Sequence, residues 1–169
     1  RSVVPNFFVC VVYVVNVDGT GLTALTPADE NFHFFLSFSP DGSKIIFSRT
    51  INTPELNDPY NIYSMNLDGS NVTQLTFNVE FQNVYRASYS RDGSKILFRS
   101  NDGITDYRIE IMDADGANRL RLSPIRFTSY HPRFNPDSTK IVYYSDGGSD
   151  GLEVYTINPD GTGAANLTA

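Results

Sequence analysis

The sequence is poor in the residues that carry most protein chemistry: one cysteine, two histidines and no tryptophan in 169 residues. A single cysteine excludes an intrachain disulfide. Cys10 sits in Phe7-Phe-Val-Cys-Val-Val-Tyr-Val-Val15, where a small apolar residue packed in a strand is the expected role. His33 and His131 lie far apart and show no zinc spacing. Basic runs are missing too. Thirteen Lys and Arg face nineteen Asp and Glu, for a formal net charge of −6, so neither nucleic acid nor an anionic membrane is an expected partner. The apolar run at 7–15 is too short to span a bilayer, and no small-residue cleavage pattern follows it. There is no glycine-rich phosphate loop, and neither a Gly-x-Ser-x-Gly nucleophile elbow nor the strand-to-helix setting to hold one is expected. An enzyme is not expected from these residues, nor a cofactor or a metal.

What the chain does have is aromatic residues and Asp-Gly pairs. It carries twelve Phe and ten Tyr, and with many Val, Ile and Thr they suit half-buried pleated surfaces. Nine of the twelve glycines follow an aspartate, and Asp-Gly between apolar runs is a strong hairpin signal. The fold class is all-β.

The pairs fall into two alternating phrases. Ser39-Pro-Asp-Gly-Ser-Lys-Ile-Ile-Phe-Ser-Arg49 recurs at 90–100 and, with Ser in place of Gly, at 135–145. Ile62-Tyr-Ser-Met-Asn-Leu-Asp-Gly-Ser-Asn-Val-Thr-Gln-Leu-Thr76 recurs at 12–26, 109–123 and 154–168. Two phrases alternating about every 45–50 residues mark a β-propeller or a similar array. The alternation predicts four antiparallel strands per repeat, as in a propeller blade. The expected blades are a partial one at 1–26, then 27–76, 77–123 and 124–169, all in a single domain. That is three and a half to four blades, an array short of a full ring, with Arg1–Phe8 as a candidate extra strand. Asp113-Ala-Asp-Gly-Ala-Asn118 resembles the front of a calcium loop but lacks the closing glutamate, so a hairpin turn is expected there.

The two phrases, as they stand in Phe38-Ser-Pro-Asp-Gly-Ser-Lys-Ile-Ile-Phe47, Ile62-Tyr-Ser-Met-Asn-Leu-Asp-Gly69 and Leu75-Thr76, resemble the TolB-like propeller repeat. The same repeat builds the propellers of prolyl-oligopeptidase-type serine peptidases. The resemblance covers nearly the whole chain. It implies a binding or interaction module, periplasmic or extracellular, whose partner is a protein or peptide, with a glycan as the other option. One alternative it raises is the propeller portion of a larger enzyme. Another is a structural subunit that assembles through its terminal blades.

Strand order places both kinds of Asp-Gly turn on one face of the disc. The segments that differ between repeats collect on the other face, where a rigid scaffold most often carries a site. The candidate binding residues there are His33, Tyr60, Tyr85, Arg86, Tyr107, Tyr130, His131 and Arg133, and Glu55, Asp58, Gln82, Asp106 and Arg126 are further candidates on the same face. Phe35, Arg86 and His131 align at one position at the start of each inner strand. The expected core holds Phe38, Ile45, Phe47, Ile62, Leu67, Leu75, Ile96, Phe98, Ile109, Ile111, Phe134, Ile141, Tyr143, Val154 and Ile157. An open array exposes apolar end faces, here including Val11, Val12, Tyr13 and Val15, so the ends are expected to be covered, either by another copy of the chain in a homo-oligomer or by a segment absent from this sequence.

Overall fold

The computed structural model describes residues 10–28, 31–51, 59–78, 83–101, 107–123, 128–147 and 151–168. Each phrase of the repeat folds into a hairpin, and the turn chemistry shows why. In the first, Asp41 Oδ1 accepts hydrogen bonds from Ser39 Oγ at 2.6 Å and Ser43 N at 3.0 Å. Gly42, at φ 71°, then closes the turn on the Ser39 carbonyl. Ser90, Asp92 and Ser94 repeat the arrangement. In the third copy Ser138 takes the left-handed position at φ 60°.

The second phrase ends in Leu-Thr or Leu-Ser for a physical reason. Leu25, Leu75 and Leu122 are buried. The hydroxyls that follow, on Thr26, Thr76, Ser123 and Thr168, accept a hydrogen bond from the backbone N–H of Val12, Ile62, Ile109 and Val154. Each hydroxyl thereby pins the fourth strand of a blade to the start of its third. The intervening glycine is also fixed by packing. A Cβ on Gly69, at φ 82°, would lie 2.4 Å from the Leu25 carbonyl oxygen of the preceding blade, and Gly116 meets Leu75 in the same way at 2.6 Å.

Fourteen strands result among the described residues. A two-stranded sheet pairs β1 (Tyr13–Val14) with β2 (Thr23–Ala24). Three four-stranded antiparallel sheets follow. The first holds β3 (Asn31–Phe38), β4 (Lys44–Ile51), β5 (Asn61–Asn66) and β6 (Thr73–Gln74). The second holds β7 (Val84–Tyr89), β8 (Lys95–Asn101), β9 (Tyr107–Asp113) and β10 (Leu120–Arg121). The third holds β11 (Ser129–Phe134), β12 (Ile141–Ser145), β13 (Glu153–Ile157) and β14 (Ala165–Asn166). No helix occurs among the described residues. The strand candidate at 1–8 lies outside them.

The blades pack face to face, with a core cluster in each gap. Ile46, Ile62, Val84, Ile96, Phe98 and Met112 fill one; Leu97, Ile109, Ile111, Ile141, Tyr143 and Ile157 fill the next. A middle blade is therefore buried on both sides. Ile45, Ile46 and Phe47 of β4 are all buried, as are Ile96, Leu97 and Phe98 of β8. Strict alternation returns only in β12 of the last sheet, where Val142 is 38% exposed between buried Ile141 and Tyr143. Within the second sheet buried Glu110 accepts from Ser100 and from Arg119, and Arg119 Nη1 reaches Asn78 Oδ1, in the segment that follows β6, at 3.1 Å.

Most of the expected core is buried, with four departures. Phe38 is 57% exposed. It pairs with Ile45 and so faces the two-stranded sheet, which matches only the outer strands of a blade. The equivalent Tyr89 and Phe134, backed by complete blades, pack against the core. Leu67 is exposed because it occupies the turn, whose closing hydrogen bond runs from Gly69 N to the Asn66 carbonyl. Phe134 and Val154 are half-buried. At the other end, Val12 is buried against Ile45 and Phe47 instead of lying on an open face, while Tyr13 and Val15 point outward. The Asp113 segment is a hairpin turn closed by Gly116 N on the Asp113 carbonyl.

Candidate functional site

At the end of the blades opposite the Asp-Gly turns, one irregularity recurs in every four-stranded sheet. The inner strand carries a β-bulge, between Phe34 and Ser37, between Tyr85 and Ser88, and between Tyr130 and Arg133. Two residues there oppose one on the neighbouring strand. The first of the two is left-handed: Phe35 at φ 56°, Arg86 at 56° and His131 at 49°. Glycine is the usual occupant of such a position. A larger residue costs about 1–3 kcal/mol, and residues held this way gather at functional sites. The left-handed residues of successive blades lie near one another, Arg86 over Phe35 and close enough to His131 to act on its charge. They border an open pocket of about 390 Å³ lined by Phe35, Leu36, Ser37, Arg86, Ala87, Ser88 and Arg133.

Around this pocket runs a belt of rings. Phe34 meets Tyr60 at 5.9 Å between centroids, Tyr60 meets Tyr85 at 5.6 Å, and Phe35 meets Tyr85 edge-on at 5.9 Å. Tyr107, Tyr130, Tyr144 and His131 form a second series, spaced 6.0, 5.5 and 5.3 Å. Arg99 joins the two. Its guanidinium lies 3.6 Å from the centroid of Tyr107, 4.8 Å from Tyr130 and 5.7 Å from Tyr85. Arg86 lies over Phe35 at 5.4 Å.

The electrostatics of the pocket oppose those of the whole chain. Among the described residues no carboxylate pairs with Arg86, Arg99 or Arg133, and Arg99 Nε is buried without a hydrogen-bond partner. His131 has its pKa lowered, first by burial and then by Arg86, Arg99 and Arg133, which keeps the imidazole neutral at neutral pH. Burial raises the Tyr85 pKa, opposed by Arg99. A patch of positive charge thus sits within an acidic protein.

The structure brings Tyr60, Tyr85, Arg86, Tyr107, Tyr130, His131 and Arg133 together. His33 stands apart. It is buried against Phe47, with Nδ1 2.9 Å from the Cys10 carbonyl oxygen, while the Cys10 thiol donates to the His33 carbonyl at 3.1 Å. Glu55, Asp58, Gln82, Asp106 and Arg126 lie outside the described residues. Sequence reasoning passed over Arg99, Phe34 and Tyr144. The available signal was variation within the repeat, since Ser48, Arg99 and Tyr144 occupy one register position, opposite Phe34, Tyr85 and Tyr130. Contrary to expectation, the sequence does contain one Gly-x-Ser-x-Gly pattern, Gly147-Gly-Ser-Asp-Gly151. In sequence it lies between β12 and β13, which pair antiparallel, whereas an elbow lies between a strand and a helix. No group of three or more metal-ligating side chains occurs among the described residues.

No family model matches the chain. Solved structures do. TolB from Acinetobacter baumannii superposes over 93% of this chain with a TM-score of 0.69 at 22% identity. The chain has the TolB-like β-propeller fold. Oligogalacturonate lyase from Vibrio parahaemolyticus shares it over 92% of the chain (TM-score 0.73, 13% identity). A puromycin-hydrolysing peptidase from Mycobacterium tuberculosis does so over 93% (TM-score 0.74, 14% identity). The chain spans 37%, 46% and 27% of those three proteins. At these identities the likeness defines the fold, and a propeller is a scaffold for many functions.

Proposed function

We propose that this chain is a non-catalytic binding module that holds a protein or peptide partner on its variable-loop face. The observation that carries the reading is the ring belt, continuous across the three four-stranded blades through Arg99. Rings and guanidinium groups are the side chains that dominate binding hot spots. Fixed rings of this kind offer large contact area at little cost in conformational freedom. The likeness to TolB adds an extracytoplasmic location to the proposal. The likeness to a peptidase favours a second reading, in which the same face belongs to the propeller part of a larger enzyme and admits its substrate.

Selection of peptides from a displayed random library against the immobilised chain, followed by NMR mapping of the selected sequences, tests the first reading. Selected peptides are expected to shift resonances of Tyr85, Tyr107 and Tyr130, and to lose affinity for Tyr107→Ala. Peptides that map to the Asp-Gly turns instead, or bind Tyr107→Ala unchanged, contradict it.

A further inference from the structure

The charge of the pocket permits a sharper statement, which rests on the reading of the loop face as the binding face. A guanidinium has five N–H donors and no acceptor. Arg86 and Arg133 line the pocket, and Arg99 lies close enough to act with them on His131. The hydroxyls of Ser37 and Ser88 complete the polar wall, and the imidazole of His131, beside Arg86 and Arg133, adds one more donor at its edge. Such a wall offers many more donors than acceptors. A ligand that fits it must supply acceptors and, since no described carboxylate balances the arginines, negative charge. The remaining wall is apolar, formed by Phe35 and Leu36, each more than a third exposed.

We propose that Arg86, Arg133 and His131, backed by Arg99, form a carboxylate-binding site at the centre of the loop face. It takes the carboxylate of a peptide ligand together with the apolar side chain beside it.

Planarity and charge match guanidinium to carboxylate through paired N–H···O bonds. Holding the group costs little at the moment of binding, because the ring belt fixes Arg99 and the bulge fixes Arg86. The bulge itself finds a role here. At ordinary strand geometry residue 86 would continue the alternation of β7, whereas the left-handed step redirects it to the pocket shared with Arg133 of the next blade. Added salt screens the attraction between the three arginines and the anion, so affinity should fall as salt rises, while the repulsion from the net charge of −6 acts at longer range and is screened first.

The test uses the full chain and three probes: N-acetyl-phenylalanine, its amide, and inorganic phosphate. NMR titration is followed at the His131 ring and the arginine Nε–H groups. The acid is expected to bind at least about tenfold more tightly than the amide, the loss of a charge-assisted interaction. It should also raise the His131 pKa back toward its ordinary range, because the bound anion offsets Arg86, Arg99 and Arg133, the cations that face the ring alongside Tyr144. Arg133→Gln, exposed and outside the core, should abolish the difference between acid and amide. Arg86→Asn should do the same while keeping a residue type that tolerates left-handed backbone. Equal binding of acid and amide overturns the carboxylate site but leaves the binding face in place, as does binding of phosphate in preference to the acid. If the acid binds and His131 does not respond, the site lies elsewhere and the proposal also fails. Loss of the binding face itself would show separately, as selected peptides that map to the opposite end of the blades.

Discussion

The two ends of the blades are built from different kinds of sequence. On the turn end, Ser39, Asp41 and Ser43 recur as Ser90, Asp92 and Ser94, and their hydrogen bonds are local, spanning two residues. On the loop end, equivalent positions hold Phe35, Arg86 and His131, or Ser48, Arg99 and Tyr144, and contacts run between blades. Repetition at one end builds the array. Departure from the repeat at the other end makes a surface with its own chemistry, at the expense of three non-glycine residues in left-handed backbone.

The largest disturbance should come where both ends depend on one side chain. Phe98 is fully buried and opposes the Arg86 bulge. Phe98→Ala is expected to cost about 3–5 kcal/mol and to loosen the loop-face site as well, measured by denaturant unfolding and peptide affinity together. Gly69→Ala should separate the two. It strains the turn by about 1–3 kcal/mol and forces a Cβ into the Leu25 carbonyl, yet peptide affinity per folded molecule should hold.

Acid should act on the turn end too. The hydrogen bonds from Ser39 and Ser43 lower the Asp41 pKa from 3.8 to about 2, and Asp92 behaves alike through Ser90 and Ser94. A depressed folded pKa means that the stabilisation is complete above about pH 4 and disappears as pH falls through about 2. The double variant Asp41→Asn, Asp92→Asn should flatten that part of the pH–stability curve, with the loop face unaffected at pH 7.

Tyr107→Ala reverses the pattern. Stability should change by about 0.5–1 kcal/mol, the worth of an accessible cation–π contact, while peptide binding is lost. The smallest effect belongs to the imperfect turn. Ser138→Gly relieves left-handed strain but removes the acceptor of the Arg91 N–H at 2.8 Å. Those contributions oppose one another, so thermal unfolding should shift by less than about 1 kcal/mol.

The array was legible because each blade repeats the same solution. Asp-Gly pairs located the hairpins, and the second phrase located the third and fourth strands, though the hydroxyls that pin them together show only in the structure. The burial pattern was less legible. Ile46 and Leu97 lie on the opposite faces from the residues that alternation selected, and only packing on both sides of a blade buries them. Phe38 failed in the other direction, since its exposure depends on what lies across the gap and not on its own strand. At the site, residue type and repeat position found Arg86, His131 and the tyrosines. The bulges left no mark in composition, because Phe, Arg and His stand where glycine would have signalled them. Arg99 read as one charge in an apolar strand until the fold set three rings around it. His33 had the right residue type and lies on the right strand, but alternation turns it into the packing beside Cys10.

Chemical-shift mapping on the full chain tests the division of labour between the two ends most directly. Titration with N-acetyl-phenylalanine should move resonances of Arg86, Tyr107, His131 and Arg133 and leave those of Ser39–Ser43 and Ser90–Ser94 in place. Shifts concentrated in the Asp-Gly turns, with the arginines and rings of the loop face silent, would contradict it.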